Sequence, residues 1–328
     1  MVLSLLKKTA GWIFKIAAAI TVFVGLQKLC ELNTRGFSLQ RILDHDLPSQ
    51  AAWQTAPLEA KELQEIATLL DQPYHLLGSG GECFAFVSQD QKFVIKFYKL
   101  NLGRFMYLRH GLLKMDHGKD AGTISNHWLA QAALPSFLDI ARKRILGMRE
   151  HRLKRLFKST MLAYEELKQE TALLYVHLNQ TEHFKKPLIL IDSMGNSHHI
   201  DPNTTKFVIQ CKAQPLLDRL HHLMQEGQIE AAKKSIDSFL DLIVQRCKKG
   251  FADRDIYMRN FGFVADRAME IDIGPFVKDP QMQGNNNIKK ELFFASSELR
   301  AYLAKNNYPQ LLAHLEQSLS SYAIDDHD

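Results

Sequence analysis

The stretch FADRDIYMRNFGFVADRAMEIDIGPF, residues 251–276, limits the possible folds of this chain more than any other. Its second half, NFGFVADRAMEIDI, reads as a β-hairpin. Such a hairpin sets Asp272 across from Asn260, twelve residues earlier, with Asp255 five positions before that amide. Phosphoryl transfer calls for this set: one carboxylate to orient a hydroxyl and accept its proton, and an amide with a second carboxylate to hold Mg²⁺. Gly274 lets the backbone turn sharply beside the second Asp. Each acid taken singly reads as well as a cap or turn residue, and it is the joint spacing that points to chemistry.

Two further stretches gain meaning beside this one. In LLGSGGECFAF, Gly78, Gly80 and Gly81 remove side chains where backbone N–H groups could approach a phosphate, although glycines in a hairpin are commonly turn formers. Sixteen residues after Gly80 comes Lys96, the one basic position inside the apolar strand FVIKF. A lysine there faces either solvent at a sheet edge or a cleft under the glycine loop, and the loop favours the cleft. A carboxylate partner for it is expected in YEELKQETALL, where Glu166 and Glu170 lie one helical turn apart; Glu170 is preferred because it directly precedes the apolar TALL run.

The rest of the chain sets the frame. With 328 residues, 46% apolar and 23% charged, it is long enough for one large core or two lobes. Its four cysteines (Cys30, Cys83, Cys211, Cys247) are scattered, which argues against a disulfide framework or a zinc site. Between Lys99 and Lys158 there are 13 Lys/Arg against 4 Asp/Glu, so one segment carries the whole positive excess of a chain whose formal charge is +5. That segment reads as a solvated helix face, or as a surface for membrane lipid or an anionic substrate. No recognition module accompanies it, so nucleic acid is not an expected partner.

At the N-terminus an apolar run from Ala10 to Leu26, broken by Lys15, follows the basic pair Lys7 and Lys8. It predicts an uncleaved membrane-anchor helix over residues 1–30, with a cleaved signal or a buried helix as rivals. Residues 31–73 read as a connector containing the helix PLEAKELQEIATLL. Strand patterns begin at Tyr74, a long helical region follows, and strands return in KPLILIDSMGNSHHI and TKFVIQCKA. From Pro215 the chain is helical apart from the opening stretch.

The order GSGG, VIK, helix Glu, DRDIYMRN and DIG resembles the protein-kinase-like superfamily across residues 74 to about 276. The resemblance implies an α+β, two-lobed protein-kinase-like fold. Residues 74–214 would form the N-lobe, with a basic helical insertion at about 101–158, and residues 215–328 a reduced helical C-lobe. It also implies ATP and Mg²⁺ as cofactors. Lys96 would contact the α/β-phosphates and pair with Glu170, Asp255 would be the catalytic base, and Asn260 and Asp272 would bind the metal. Gly78, Gly80 and Gly81 would cover the phosphates, and the hinge Gln210, Cys211, Lys212 and Ala213 would meet adenine through its backbone.

The departures are Cys83 for the third loop glycine, Asp253 for the His of H-R-D, and Ile273 for the Phe of D-F-G. None of them removes a group that touches phosphate or metal. Only 54 residues follow Gly274 and no A-P-E motif appears, so the region that docks peptides in typical protein kinases is short. This is similar to the atypical members that act on small molecules, with the bacterial lipopolysaccharide-core sugar kinases as the nearest comparison. The implied activity is phosphorylation of a hydroxyl on a glycolipid, sugar or other membrane-proximal acceptor, by a domain facing a compartment that contains ATP. The rival readings are a protein kinase and an inactive pseudokinase serving as a binding module.

Overall fold

The computed structural model describes residues 2–43, 49–100, 136–274 and 276–324. Most of the expected basic insertion, residues 101–135, lies outside the described residues. Helix α1 (Val2–Asn33) opens the chain, and Trp12, Val22, Phe23, Val24 and Leu26 on it are exposed. Among the described residues no helix is long and apolar enough to cross a membrane, so the spanning anchor expected at residues 1–30 is not supported. The apolar run from Ala10 to Leu26 is interrupted by Lys15, which leaves Ile16 to Leu26 as its longest uncharged stretch.

Helix α2 (Ala60–Leu70) begins with a capping box in which Glu59 and Glu62 satisfy each other's backbone N–H groups, and it buries Ile66 and Leu70. Strands β1 (Tyr74–Ser79), β2 (Cys83–Ser88) and β3 (Phe93–Tyr98) form an antiparallel meander. Helix α3 (Ser136–Glu166) and the single turn α4 (Lys168–Thr171) lead into β4 (Leu173–His177), β5 (Leu188–Ile191), β6 (Ser197–Ile200) and β7 (Phe207–Cys211). These seven strands make one sheet in the order β4-β7-β3-β2-β1-β5-β6, antiparallel throughout except for the β1–β5 pair.

Alternation along the strands gives the sheet two different faces. Phe84, Phe86, Ile95, Phe97 and Ile209 turn to one side, where Ile66 and Leu70 of α2 and Phe37 and Ile42 complete a core. Leu173, Val176 and Val208 turn to the other, against Leu153, Leu156 and Phe157 of α3. Lys96 lies on this second face, opposite Ala85 and Val208 in the register.

A second body follows, starting with β8 (Gln214–Pro215), α5 (Leu216–Gln225) and α6 (Ile229–Lys248). Next come β9 (Phe251–Asp253), the hairpin β10 (Phe261–Val264) and β11 (Arg267–Glu270), and β12 (Phe276–Lys278), which pairs with β9. Helices α7 (Asn285–Lys305) and α8 (Pro309–Ile324) close the chain. Its core is helical: Leu220, Ile236, Phe239, Leu240 and Ile243 pack against Leu299, Leu303, Leu311 and Leu315, with Phe261 and Phe263 of the hairpin. The architecture is the expected mixed α+β, with a strand-rich body and a helical one.

The two bodies meet where β8 pairs with β10, setting Gly262 beside Pro215. A Cβ at Gly262 would lie 2.7 Å from the Gln214 carbonyl oxygen and 3.0 Å from the Ala213 Cβ. Backbone cannot yield as a flexible side chain does, so Gly262→Ala is expected to cost about 1–3 kcal/mol by overpacking. Chemical denaturation of the two proteins measures it; an unchanged midpoint would show that the β8–β10 approach is loose.

Candidate active site

The cleft between the bodies contains a cavity of about 220 Å³. Its roof is the second face of the sheet, through Leu77, Ala85, Val94 and Lys96, and its floor is Met269, Glu270 and Ile271. The back is the connection Gln210, Cys211, Lys212, Ala213, so all four residues expected to meet a base line one cavity. Their backbone groups are not equivalent. The Cys211 N–H donates to the Ala172 carbonyl (3.1 Å) and the Lys212 N–H to the Lys92 carbonyl (2.7 Å). Among the described residues the Ala213 N–H has no such acceptor, which makes it the donor left for a base. Gln210 is buried and donates through Nε2 to the Thr171 carbonyl (2.9 Å), which fixes its amide orientation.

Lys96 reaches down from the roof and donates to the carbonyl of Ile271, the residue before Asp272. One strand lysine thus joins the sheet to the hairpin end. The expected pairing with Glu170 is not formed: Glu170 binds Lys249 at 2.6 Å, and Glu166 binds Lys278 at 2.7 Å. Among the described residues no carboxylate lies within ion-pair distance of Lys96. Helix placement is the reason. Glu170 sits in α4 after α3 has ended, next to the end of α6, whereas the part of α3 that reaches the cleft carries Arg152, Leu156 and Ser159. Arg152 donates to the Lys99 carbonyl (2.6 Å) and Ser159 to the Ile273 carbonyl (2.8 Å).

Asn260 and Asp255 are joined directly, the Asn260 Nδ2 donating to the Asp255 carbonyl (2.7 Å) and to its carboxylate (3.1 Å). The hairpin brings the metal-side residues together, since the Ile271 N–H donates to the Asn260 carbonyl at 2.6 Å. Asp272 accepts from the Gly274 N–H (3.1 Å) through Oδ1. With the Asn260 nitrogen committed to Asp255, its Oδ1 and the Asp272 carboxylate supply an all-oxygen donor set, which suits Mg²⁺. Among the described residues no three His, Cys, Asp or Glu side chains cluster closely enough to hold a metal on their own.

The glycine loop answers the question of its composition. None of Gly78, Gly80 and Gly81 has positive φ. A Cβ at Gly78 or Gly81 would meet nothing within 4 Å, and one at Gly80 only the Cys83 carbonyl at 3.9 Å. Neither turn geometry nor internal packing requires glycine there; what glycine leaves is open space above the cleft. Lys99 holds the loop by donating to Ser79 Oγ (2.9 Å) and to the Gly80 carbonyl, while lying over the Phe84 ring.

Asp253, at the end of β9, is buried and accepts from the Asp255 N–H (2.8 Å). It belongs to a cluster in which the wholly buried Arg246 of α6 meets Glu270, Glu291 at 2.5 Å and Asp253 at 3.7 Å. Three carboxylates share one guanidinium, and burial outweighs its attraction, raising Glu270 to about 8 and moving Asp253 and Glu291 upward. Arg246, Glu270, Lys99 and Arg152 were not singled out from sequence. An arginine amid apolar helix positions and an acid in the strand AMEI were the available signals for the first two.

No family model and no curated protein matches the chain. Among solved structures it is similar to the bifunctional kinase-methyltransferase WbdD, with 15% identity, a TM-score of 0.31, and coverage of 72% of this chain and 42% of that one. A co-crystal of WbdD with a kinase inhibitor gives 14% identity, a TM-score of 0.30, and coverage of 73% and 44%. The complex of Rv3197 with erythromycin from Mycobacterium tuberculosis gives 15% and 0.26, covering 80% and 60%. The chain thus spans less than half the length of WbdD.

Glu270 holds its proton in the fold up to about pH 8, whereas in the unfolded chain it releases it near 4.5. Between those values the fold binds more protons, so stability is expected to fall as pH rises through that window and to level off above it. Urea unfolding between pH 6 and 9 tests this: Glu270→Gln should flatten the slope, and an equal slope in both proteins would assign it to other groups. The described part of the chain is thus a mixed α+β fold in which a seven-stranded sheet and a helical body enclose a cleft lined by Lys96 and the 210–213 connection.

Proposed function

We propose that the chain is a phosphotransferase using ATP and Mg²⁺ on a hydroxyl acceptor. The observation that carries this reading is the Lys96 bond to the Ile271 carbonyl, which ties the strand lysine to the residue next to Asp272. The Asp255–Asn260 pair lies across the same hairpin end. When bound, the nucleotide and metal would supply the transferable phosphoryl group and charge neutralisation. Asn260 and Asp272 would hold the metal, Lys96 would meet phosphate oxygens, and the Ala213 N–H would receive the base. Asp255 would orient the acceptor hydroxyl and take its proton, with its position fixed by Asn260 and Asp253.

The test is Mg²⁺-dependent ATP binding and turnover by the full chain. Asp255→Asn should lower kcat by about 10²–10⁴-fold with nucleotide affinity kept. Lys96→Ala should weaken nucleotide binding, and Asp272→Ala should remove metal dependence. Gly81→Ala should weaken binding without changing the melting temperature. Absence of nucleotide binding by the wild type would refute the reading. One observation favours a second one, a nucleotide-binding module without turnover: Lys96 lacks a carboxylate partner among the described residues. In that case the wild type binds ATP and Asp255→Asn changes nothing.

The acceptor we infer is a glycolipid or other anionic molecule at a membrane surface facing an ATP-containing compartment. Support comes from the exposed apolar side chains of α1 and from the basic residues of the segment ending at Lys158. Co-flotation with anionic vesicles should be salt-sensitive and should drop when residues 1–33 are removed. Equal flotation of the truncated chain would exclude α1 as the lipid contact.

A further inference from the structure

The glycine loop ends in an acidic residue, Glu82, whose surroundings are unusual for a surface carboxylate. The loop around it is tied at three points: the Lys99 N–H donates to the Glu82 carbonyl (2.8 Å), the Gly80 N–H to the Cys83 carbonyl (3.0 Å), and the Lys99 side chain to Ser79 and Gly80. These ties fix the backbone and leave the side chain to point across the cleft. Glu82 Oε2 lies 2.9 Å from where a Cβ on Gly274 would stand, so it touches the lower body beside Asp272. Glycine at 274 makes room for it.

Despite this close approach, among the described residues the Glu82 carboxylate has no hydrogen-bond donor and no ion-pair partner. The N–H of Gly274, which Glu82 approaches, is already given to Asp272. Glu82 therefore holds nothing shut. Burial is the largest influence on Glu82 and opposes its ionised form; Arg152 and Arg155 from α3 favour that form, and Asp272 and Asp255 from below oppose it. A half-buried carboxylate that faces two others and has no donor of its own gains from a cation placed between them.

We propose that Glu82 is a loop-borne oxygen ligand for the divalent cation held by Asn260 and Asp272, so that cation binding draws the glycine loop down onto the cleft. This rests on the phosphotransferase reading and deepens it. The metal site then extends across both bodies, with one acid from the roof and two residues from the hairpin ends. The contact is direct or through one metal-bound water, since Mg²⁺ keeps several waters in its six-oxygen shell. Glu82 Oε2 and Asp272 Oδ1 both lie beside the same point, 2.9 Å and 3.5 Å from where a Cβ on Gly274 would stand. Ligation of the cation gives the loop acid a use that its neighbouring glycines do not share: they admit the phosphates, and Glu82 senses the metal.

The experiment uses the full chain and Mn²⁺ alone as the probe, without nucleotide. Mn²⁺ affinity is read by electron paramagnetic resonance, and hydrogen exchange of residues 78–84 is followed as metal is added. Glu82→Gln, close to isosteric, should weaken Mn²⁺ binding about tenfold and abolish metal-induced protection of the loop. Glu82→Asp, shorter by one methylene, should retain part of both. Asp272→Asn should lose binding altogether. If Glu82→Gln binds Mn²⁺ as tightly as the wild type, or more tightly, while Asp272→Asn fails, the Glu82 proposal is overturned and the phosphotransferase reading stands. If the wild type itself binds no Mn²⁺ without nucleotide, the Glu82 proposal is overturned, and the phosphotransferase reading is decided by the ATP-binding test alone.

Discussion

A single buried guanidinium organises the lower body. Arg246 projects from α6 to Asp253 at the end of β9, Glu270 at the end of β11 and Glu291 on α7. Asp253 lies two residues before Asp255, and Glu270 two residues before Asp272, so the segments that carry Asp255 and Asp272 are both referenced to one side chain. Burying an ion costs several kcal/mol, recovered only when its partners are well placed. Such a cluster adds less to stability than to uniqueness: the hairpin and the loop have one arrangement in which the charge is met. The surplus of acid over base is relieved by Glu270 keeping its proton near neutral pH.

The roof and floor of the cleft are joined by a different device. Lys96 is the only charged residue in β3, on the face opposite Ile95 and Phe97, and its amine spans the cavity to a backbone carbonyl of the hairpin. The hinge adds a second link through β8 and β10, where Gly262 permits close backbone contact. A cleft fixed at its back by strand pairing and crossed at its inner end by one lysine leaves its outer edge to the glycine loop. Lys99 steadies that loop from behind and Glu82 extends from its tip.

Much of this was legible in the sequence because it is local. Strand alternation placed Lys96 on a face of its own, and the hairpin NFGFVADRAMEIDI joined Asn260 to Asp272 by register alone. The strand end VIQCKA pointed to the connection that lines the cavity. The partner of Lys96 was not legible, because which turn of a helix reaches a cleft depends on where that helix docks. Glu170 looked suitable by proximity to the next strand, yet it falls on α4, beyond the end of α3, beside Lys249. The N-terminal run is helical, as its composition implies, yet among the described residues no helix is long and apolar enough to cross a membrane.

Sequence by itself determined the elements, the spacing of Asp255, Asn260 and Asp272, and the strand position of Lys96, since each depends on neighbours within about twenty residues. Tertiary structure alone decided the long-range partners. Arg246 gathers acids from three elements, Lys96 takes a carbonyl 175 residues away, and Glu82 lies against Gly274. These contacts depend on how two cores, built separately around the sheet and the helices, come to rest against each other. No local pattern encodes that docking, because it is set by the shape and volume of side chains drawn from the whole chain.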